Sequence, residues 1–283
     1  MGDEQEVLVV SVGDALREDC SSRELRERFP ELDPAVDDLF LLEAHLIGQL
    51  RDRAPRQELA IVLDLHPELL RFFVTRCPAI EPFLLQLLDE RQASEGDIAL
   101  AEDALVWEIA DLIVYQRAPA LYDEKAPRRW TRAALAEVEP LAGKMVVDSG
   151  AGTGHVTFLV APLAATVFAV EPVAALRAYM RDSAREQGLD NVFVVDGFLD
   201  ALPFPADSAD ALLTHRAIGW DLASELVEIE RVLRPGGIAL HLAGMPPPAE
   251  VDAPLHEELL SWGYEERPYE DGGTLNRKYF KQI

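Results

Sequence analysis

Hydrophobic positions along this chain follow two regimes that change near residue 144. In the front part they recur at helical spacing. Leu39, Leu42, Leu46 and Leu50 form one stripe, and Leu59, Val62, Leu63, Leu70 and Phe73 form a second. Leu84, Leu87 and Leu88 mark a short helix, and a longer one is expected from Ile98 to Tyr115 with Leu100, Leu105, Ile109 and Leu112 turned inward. A short apolar run, Val7 to Val12, precedes these helices; no fixed-period repeat and no low-complexity tract is evident.

Beyond residue 144 the apolar residues gather into short runs separated by helical stretches. Val146-Val147, Ala165 to Val170, Asn191 to Asp196, Ala209 to Thr214 and Ile238 to Leu242 read as strands. Strands alternating with helices point to a parallel α/β sheet. A helix is expected near Leu255 to Trp262, followed by strands Tyr264 to Tyr269 and Asn276 to Gln282. The turn Glu270-Asp271-Gly272-Gly273 between them carries an Asp-Gly hairpin signal, so this last pair should run antiparallel. The count comes to seven strands. The chain is therefore expected to hold a mainly α-helical domain over 1–126 and an α/β domain over 127–283. The stretch from Tyr115 to Trp130 reads as a connector or lid, and Thr131 as the cap of a helix Arg132 to Glu137.

The first strand breaks into Asp148-Ser149-Gly150-Ala151-Gly152-Thr153-Gly154-His155. Glycines at alternate positions allow a tight turn and a close approach to the backbone, as in loops that hold nucleotide cofactors. In a dinucleotide loop of the form Gly-x-Gly-x-x-Gly the third glycine would stand at 155, where this chain has histidine. Asp148 adds negative charge beside the loop, which repels a pyrophosphate but suits an ammonium and a sulfonium. That favours S-adenosylmethionine over NAD. The second strand ends in Glu171, 21 residues past Gly150, where a carboxylate can accept hydrogen bonds from both hydroxyls of a ribose.

Two further segments complete a pattern: Leu202-Pro203-Phe204 leading to Ser208 and Asp210, and Arg231-Val232-Leu233-Arg234-Pro235-Gly236-Gly237. With the Asp-x-Gly-x-Gly-x-Gly loop and the acid ending the second strand, they make the stretch from about Lys144 to Ile283 resemble a class I S-adenosylmethionine-dependent methyltransferase. It is closest in style to the ubiquinone/menaquinone-biosynthesis type. The resemblance implies a seven-stranded, Rossmann-like, doubly wound sheet with an antiparallel last strand. It also implies a cofactor site in which Asp148, Gly150, Ala151 and Gly152 border the methionine end. Glu171, with Pro172 beside it, binds ribose, and the turn Gly197-Phe198-Leu199 borders adenine. One position departs from the family pattern: Phe198 stands where an Asp or Asn often accepts from the adenine amino group, leaving Asp196 or Asp200 as substitutes. Helices placed ahead of such domains commonly cover the acceptor or form a dimer, so a homodimer is a candidate assembly.

Composition narrows the acceptor. A formal charge of −25 argues against nucleic acid, whose phosphates call for a basic surface. Arg128, Arg129 and Arg132 form only a small basic cluster. No apolar stretch reaches the roughly 20 residues that span a bilayer, and the acidic start Met1 to Glu6 resembles no secretion signal. Two cysteines, Cys20 and Cys77, fit neither a metal nor a redox spacing, so a cytoplasmic protein with reduced thiols is expected. The expected partner is a small-molecule methyl acceptor, specialised metabolites included, with no nucleic acid and no membrane.

Methyl transfer needs alignment more than proton chemistry, but a base would help with a hydroxyl or ammonium acceptor. His215, at the carboxyl end of the fourth strand, is the first candidate, with His155 and Asp221 behind it. A hydrogen-bonding, positional role for His215 stands beside that expectation. Trp220 and Trp262 are possible acceptor contacts or core residues. His45, His66, His241 and His256 show no paired metal spacing. Readings kept open are a protein or peptide methyltransferase, another enzyme of the same fold, a NAD-dependent oxidoreductase, and a catalytically silent cofactor-binding scaffold.

Overall fold

A computed structural model describes residues 31–91, 98–125, 131–242, 253–271 and 274–283. Val7 to Val12, Cys20, Arg128, Arg129, Trp130 and the hairpin glycines Gly272 and Gly273 lie outside the described residues. The chain divides into two compact units, one ending at Lys125 and the other running from Ala126 to Ile283.

The first unit is helical: Ala44–Arg53, Arg56–Leu65, Pro67–Arg76, Glu81–Glu90, Ile98–Glu108, Ala110–Arg117 and Pro119–Lys125. Leu39, Leu46, Leu50, Leu59, Leu63 and Phe73 are almost fully buried, as their spacing predicts. Proline sets the breaks. The second helix stops at Leu65 because Pro67 disfavours helical dihedrals at His66, and Pro67 then opens the next helix, where its missing N–H costs nothing. The single helix expected over Ile98–Tyr115 is in fact two, parted at Ile109, whose φ of −110° and ψ of 23° leave the helical region. Leu100, expected inside, is 66% exposed on the outer side. The described part of the expected connector is helical as well, and Tyr115 meets Tyr122 edge to face at 4.9 Å.

The second unit holds β1 (Met145–Ser149), β2 (Thr166–Val170), β3 (Val192–Val195), β4 (Ala209–His215), β5 (Leu233–Leu242), β6 (Glu265–Asp271) and β7 (Thr274–Gln282). They form one sheet in the order β3-β2-β1-β4-β5-β7-β6. Strands β1 to β5 pair in parallel, while β7 runs antiparallel to both β5 and β6. Successive residues of β1 point to opposite faces, so Val147 joins the core under helices Leu222–Val232 and Ala253–Ser261. Val146 joins the one under His155–Val160. Both are fully buried, each worth about 1.5–3 kcal/mol.

Local chemistry departs from expectation in two places. Thr131 makes no side-chain cap, and the segment after it is a 3-10 turn, Arg132–Leu135, started by the Ala134 N–H donating to the Thr131 carbonyl at 3.0 Å. Strand β5 begins at Leu233, earlier than expected, because Leu233 pairs with Ala209 before the register shifts and Ile238 pairs with Ala211. The two family-like segments are cross-linked there. Arg231 donates to the carbonyls of Phe204 at 2.8 Å and Leu202 at 3.2 Å. Glu228 accepts from the Leu202 N–H at 2.7 Å. Asp210 accepts from the Met145 N–H at 2.7 Å and pairs with Arg234.

Candidate active site

Because β1 to β4 are parallel, the loops after them leave the same edge of the sheet. The strand order reverses between β1 and β4, which opens a crevice at that edge. Gly150, Ala151, Gly152, Glu171, Pro172, Gly197, Phe198 and His215 all sit on these loops and strand ends, so the structure brings together the residues singled out in the sequence.

The glycine loop is bolted to the end of β2. The N–H groups of Gly150 and Ala151 both donate to the Val170 carbonyl, at 2.9 and 3.0 Å. Glu171 then closes the arrangement: one carboxylate oxygen accepts from the Gly152 N–H and the other from the Val173 N–H, each at 2.9 Å. Glu171 is 5% exposed, and burial pushes its pKa up to about 7 against the pull of those two N–H bonds. Arg177 braces the same turn, donating to the carbonyls of Glu171 and Pro172 at 2.8 and 2.6 Å and to Asp196 at 2.9 Å.

Asp148 lies deeper than expected. It is fully buried inside β1, accepts from the Thr157 hydroxyl at 2.6 Å, and is pushed up to about 6 by burial. Its carboxylate thus ties β1 to the helix that follows. The loop glycines also make room for the protein itself. A Cβ on Gly150, at φ +70°, would come within 2.1 Å of the Ala217 Cβ, and one on Gly154 within 2.8 Å of the Phe158 ring. After β3, Gly197 is closed in by Val170 and Pro203. The Leu199 side chain belongs to the core, whereas Phe198 is 42% exposed.

His215 ends β4 as expected, but its environment alters its chemistry. Burial, with Arg216 and His155 nearby, lowers its pKa to about 3. The ring is therefore held in its neutral, proton-accepting form, with reduced basicity. Asp221 is an N-cap: it accepts from the Ser224 hydroxyl at 2.8 Å at the start of helix Leu222–Val232. Trp262 donates to Glu258 at 3.0 Å. His241 is buried between the Thr214 and Tyr264 hydroxyls, at 2.8 and 3.1 Å.

Three contributors escaped the sequence reading. Arg177 looks like any helix arginine, and Ala217 carries no polar signal. Glu225 is 3% exposed and accepts from three successive N–H groups, those of Gly219 at 2.7 Å, Trp220 at 3.0 Å and Asp221 at 3.2 Å. Its only sequence signal is an acid four residues after a capping aspartate.

Residues 147–241 match the family model described as a methyltransferase domain. The chain is 35% identical over 130 residues to the malonyl-[acyl-carrier protein] O-methyltransferase of Yersinia pestis, covering 44% of this chain and 47% of that protein. It is 30% identical over 137 residues to the ubiquinone/menaquinone biosynthesis C-methyltransferase of a Marinomonas species, covering 46% and 55%. The chain thus spans about half the length of these curated relatives. A solved S-adenosylmethionine-dependent methyltransferase from Aquifex aeolicus aligns at 21% identity and a TM-score of 0.46, over 53% of this chain and 87% of that one. The matched segment carries the glycine loop, Glu171, the Leu-Pro-Phe segment and the arginine-glycine turn in one parallel sheet, and the stretch from about residue 144 to 283 is a class I S-adenosylmethionine-dependent methyltransferase domain.

Proposed function

We propose that this chain transfers the methyl group of S-adenosylmethionine to an oxygen, nitrogen or carbon nucleophile of a small molecule. One observation carries the proposal: the carboxylate of Glu171 and the glycine loop are joined by a direct hydrogen bond at the strand-order reversal. The donor set fits this cofactor. Buried carboxylates at Asp148 and Glu171 complement ribose hydroxyls and a cationic methionine end, and they oppose a pyrophosphate.

In this proposal Gly150, Ala151 and Gly152 line the methionine side with the buried Asp148 carboxylate behind them, Glu171 and Pro172 the ribose, and Gly197, Phe198 and Leu199 the adenine. When bound, S-adenosylmethionine supplies a methyl group already made electrophilic by its sulfonium. The protein's share is to hold the acceptor close and in line, an effect that can reach about 7–11 kcal/mol. His215, neutral above about pH 3, acts as a hydrogen-bonding wall. The names of the similar proteins span O- and C-transfer, which keeps the acceptor atom open. Among the described residues no helix is long and apolar enough to cross a membrane.

The test is calorimetric titration with S-adenosylmethionine, S-adenosylhomocysteine and NAD, followed by transfer of a labelled methyl group to a panel of small acceptors. Micromolar binding of the first two, lost in Gly152→Arg and Glu171→Ala, is the expected result. Binding of NAD alone, or of none, overturns it.

A further inference from the structure

Trp220 is the most exposed large hydrophobic residue among those described, at 73%, yet the turn that carries it is among the most firmly held. On one side Ala217 packs against Gly150, so the turn touches the glycine loop directly. Ile218 is anchored in the core beneath helix Leu222–Val232. On the other side the buried Glu225 collects the N–H groups of Gly219, Trp220 and Asp221. A buried carboxylate spent on three consecutive N–H groups fixes the backbone from which an indole projects into solvent. Isolated exposed apolar residues are common on protein surfaces. An exposed indole on a pinned turn that abuts the glycine loop is a different arrangement.

Resting on the methyl-transfer proposal, we propose that Trp220 is the specificity-determining face for the methyl acceptor and that Glu225 is the positioning residue that aims it. The geometry points to a small amine: a cation on an apolar or aromatic body. An indole face attracts cations more strongly than other aromatic faces, and a chain of net charge −25 concentrates cations near its surface and disfavours anions.

The test uses the full chain with and without S-adenosylhomocysteine, and three indole-sized probes that differ in charge: tryptamine, indole and indole-3-propionate. Binding is read by saturation-transfer NMR, and S-adenosylhomocysteine affinity is measured on the same samples. Tryptamine should bind best. Trp220→Ala should weaken it about tenfold while Trp220→Phe keeps most of the affinity. Glu225→Gln should weaken tryptamine severalfold in the parent chain and have no further effect in a Trp220→Ala background, a coupling that a merely structural glutamate would not give. Preference for the anionic probe, or unchanged tryptamine binding in Trp220→Ala alongside intact S-adenosylhomocysteine binding, overturns the assignment of Trp220. Equal losses from Glu225→Gln in both backgrounds overturn the positioning role. Failure of the parent chain to bind S-adenosylhomocysteine overturns the methyl-transfer proposal and this one with it.

Discussion

Two buried glutamates do the same mechanical job on opposite sides of the crevice, and only one of them could be read from the sequence. Glu171 pins the glycine loop and its own turn through two N–H groups, and Glu225 pins the turn after β4 through three. Glu171 ends an apolar strand at a set distance from the glycines, so its spacing betrays it. Glu225 sits in the first turns of an amphipathic helix, where an acid is ordinary on dipole grounds alone. The site is thus built from one recognisable latch and one hidden in a helix.

The comparison is broken most directly by removing each latch in turn. Glu171→Ala should weaken S-adenosylhomocysteine by at least about 100-fold, since two bonds to a charged acceptor are each worth about 1.5–3 kcal/mol. Glu225→Ala should change the same affinity by less than about threefold. Calorimetry that finds equal losses removes the distinction.

The next effect is in pH. Because the folded protein holds Glu171 near 7, above its ordinary value, its protonated form is favoured in the fold. Stability from this group is full below about pH 4.5 and drains away as pH rises to about 7, by about 3 kcal/mol in all. Urea titrations across that window should show a flatter slope for Glu171→Gln than for the parent chain. Cofactor affinity should run the other way and rise through pH 7, because ribose hydroxyls favour the ionised carboxylate.

Smaller effects sharpen the link between the two sides. Gly150→Ala should cost about 2 kcal/mol through the clash with Ala217 and the positive φ, and Ala217→Gly in the same chain should restore the steric part. Urea unfolding measures both. The smallest expected change is none: the His215 ring should show no titration above pH 5 by NMR.

What was legible follows from physics. Parallel strands write themselves as apolar, β-branched runs, even the half-exposed edge strand β3, so β1 to β4 were found within a residue or two. The single stripe read from Leu59 to Phe73 in fact crosses two helices, parted at His66 by Pro67. The break at Ile109 left no such mark, because an apolar helix continues on either side of it without glycine or proline. Leu100 was misplaced for the same reason: with apolar residues all round, periodicity does not choose a face. At the site, spacing found Glu171 and the glycines. It could not tell that Gly150 makes room for Ala217, that Leu199 turns into the core, or that burial lowers the His215 pKa. Those are facts of packing between segments far apart in the chain.

The placement of β7 between β5 and β6 also sets an order of manufacture. When β6 has been synthesised it has no partner among the other described strands, where its one neighbour is β7. The later strand must then slot between the two and carry Lys278 into a buried site against Glu137 and the Ala134 carbonyl. On the ribosome, five strands can assemble while the sixth waits, so the closing step belongs to the moment after β7 has cleared the exit tunnel.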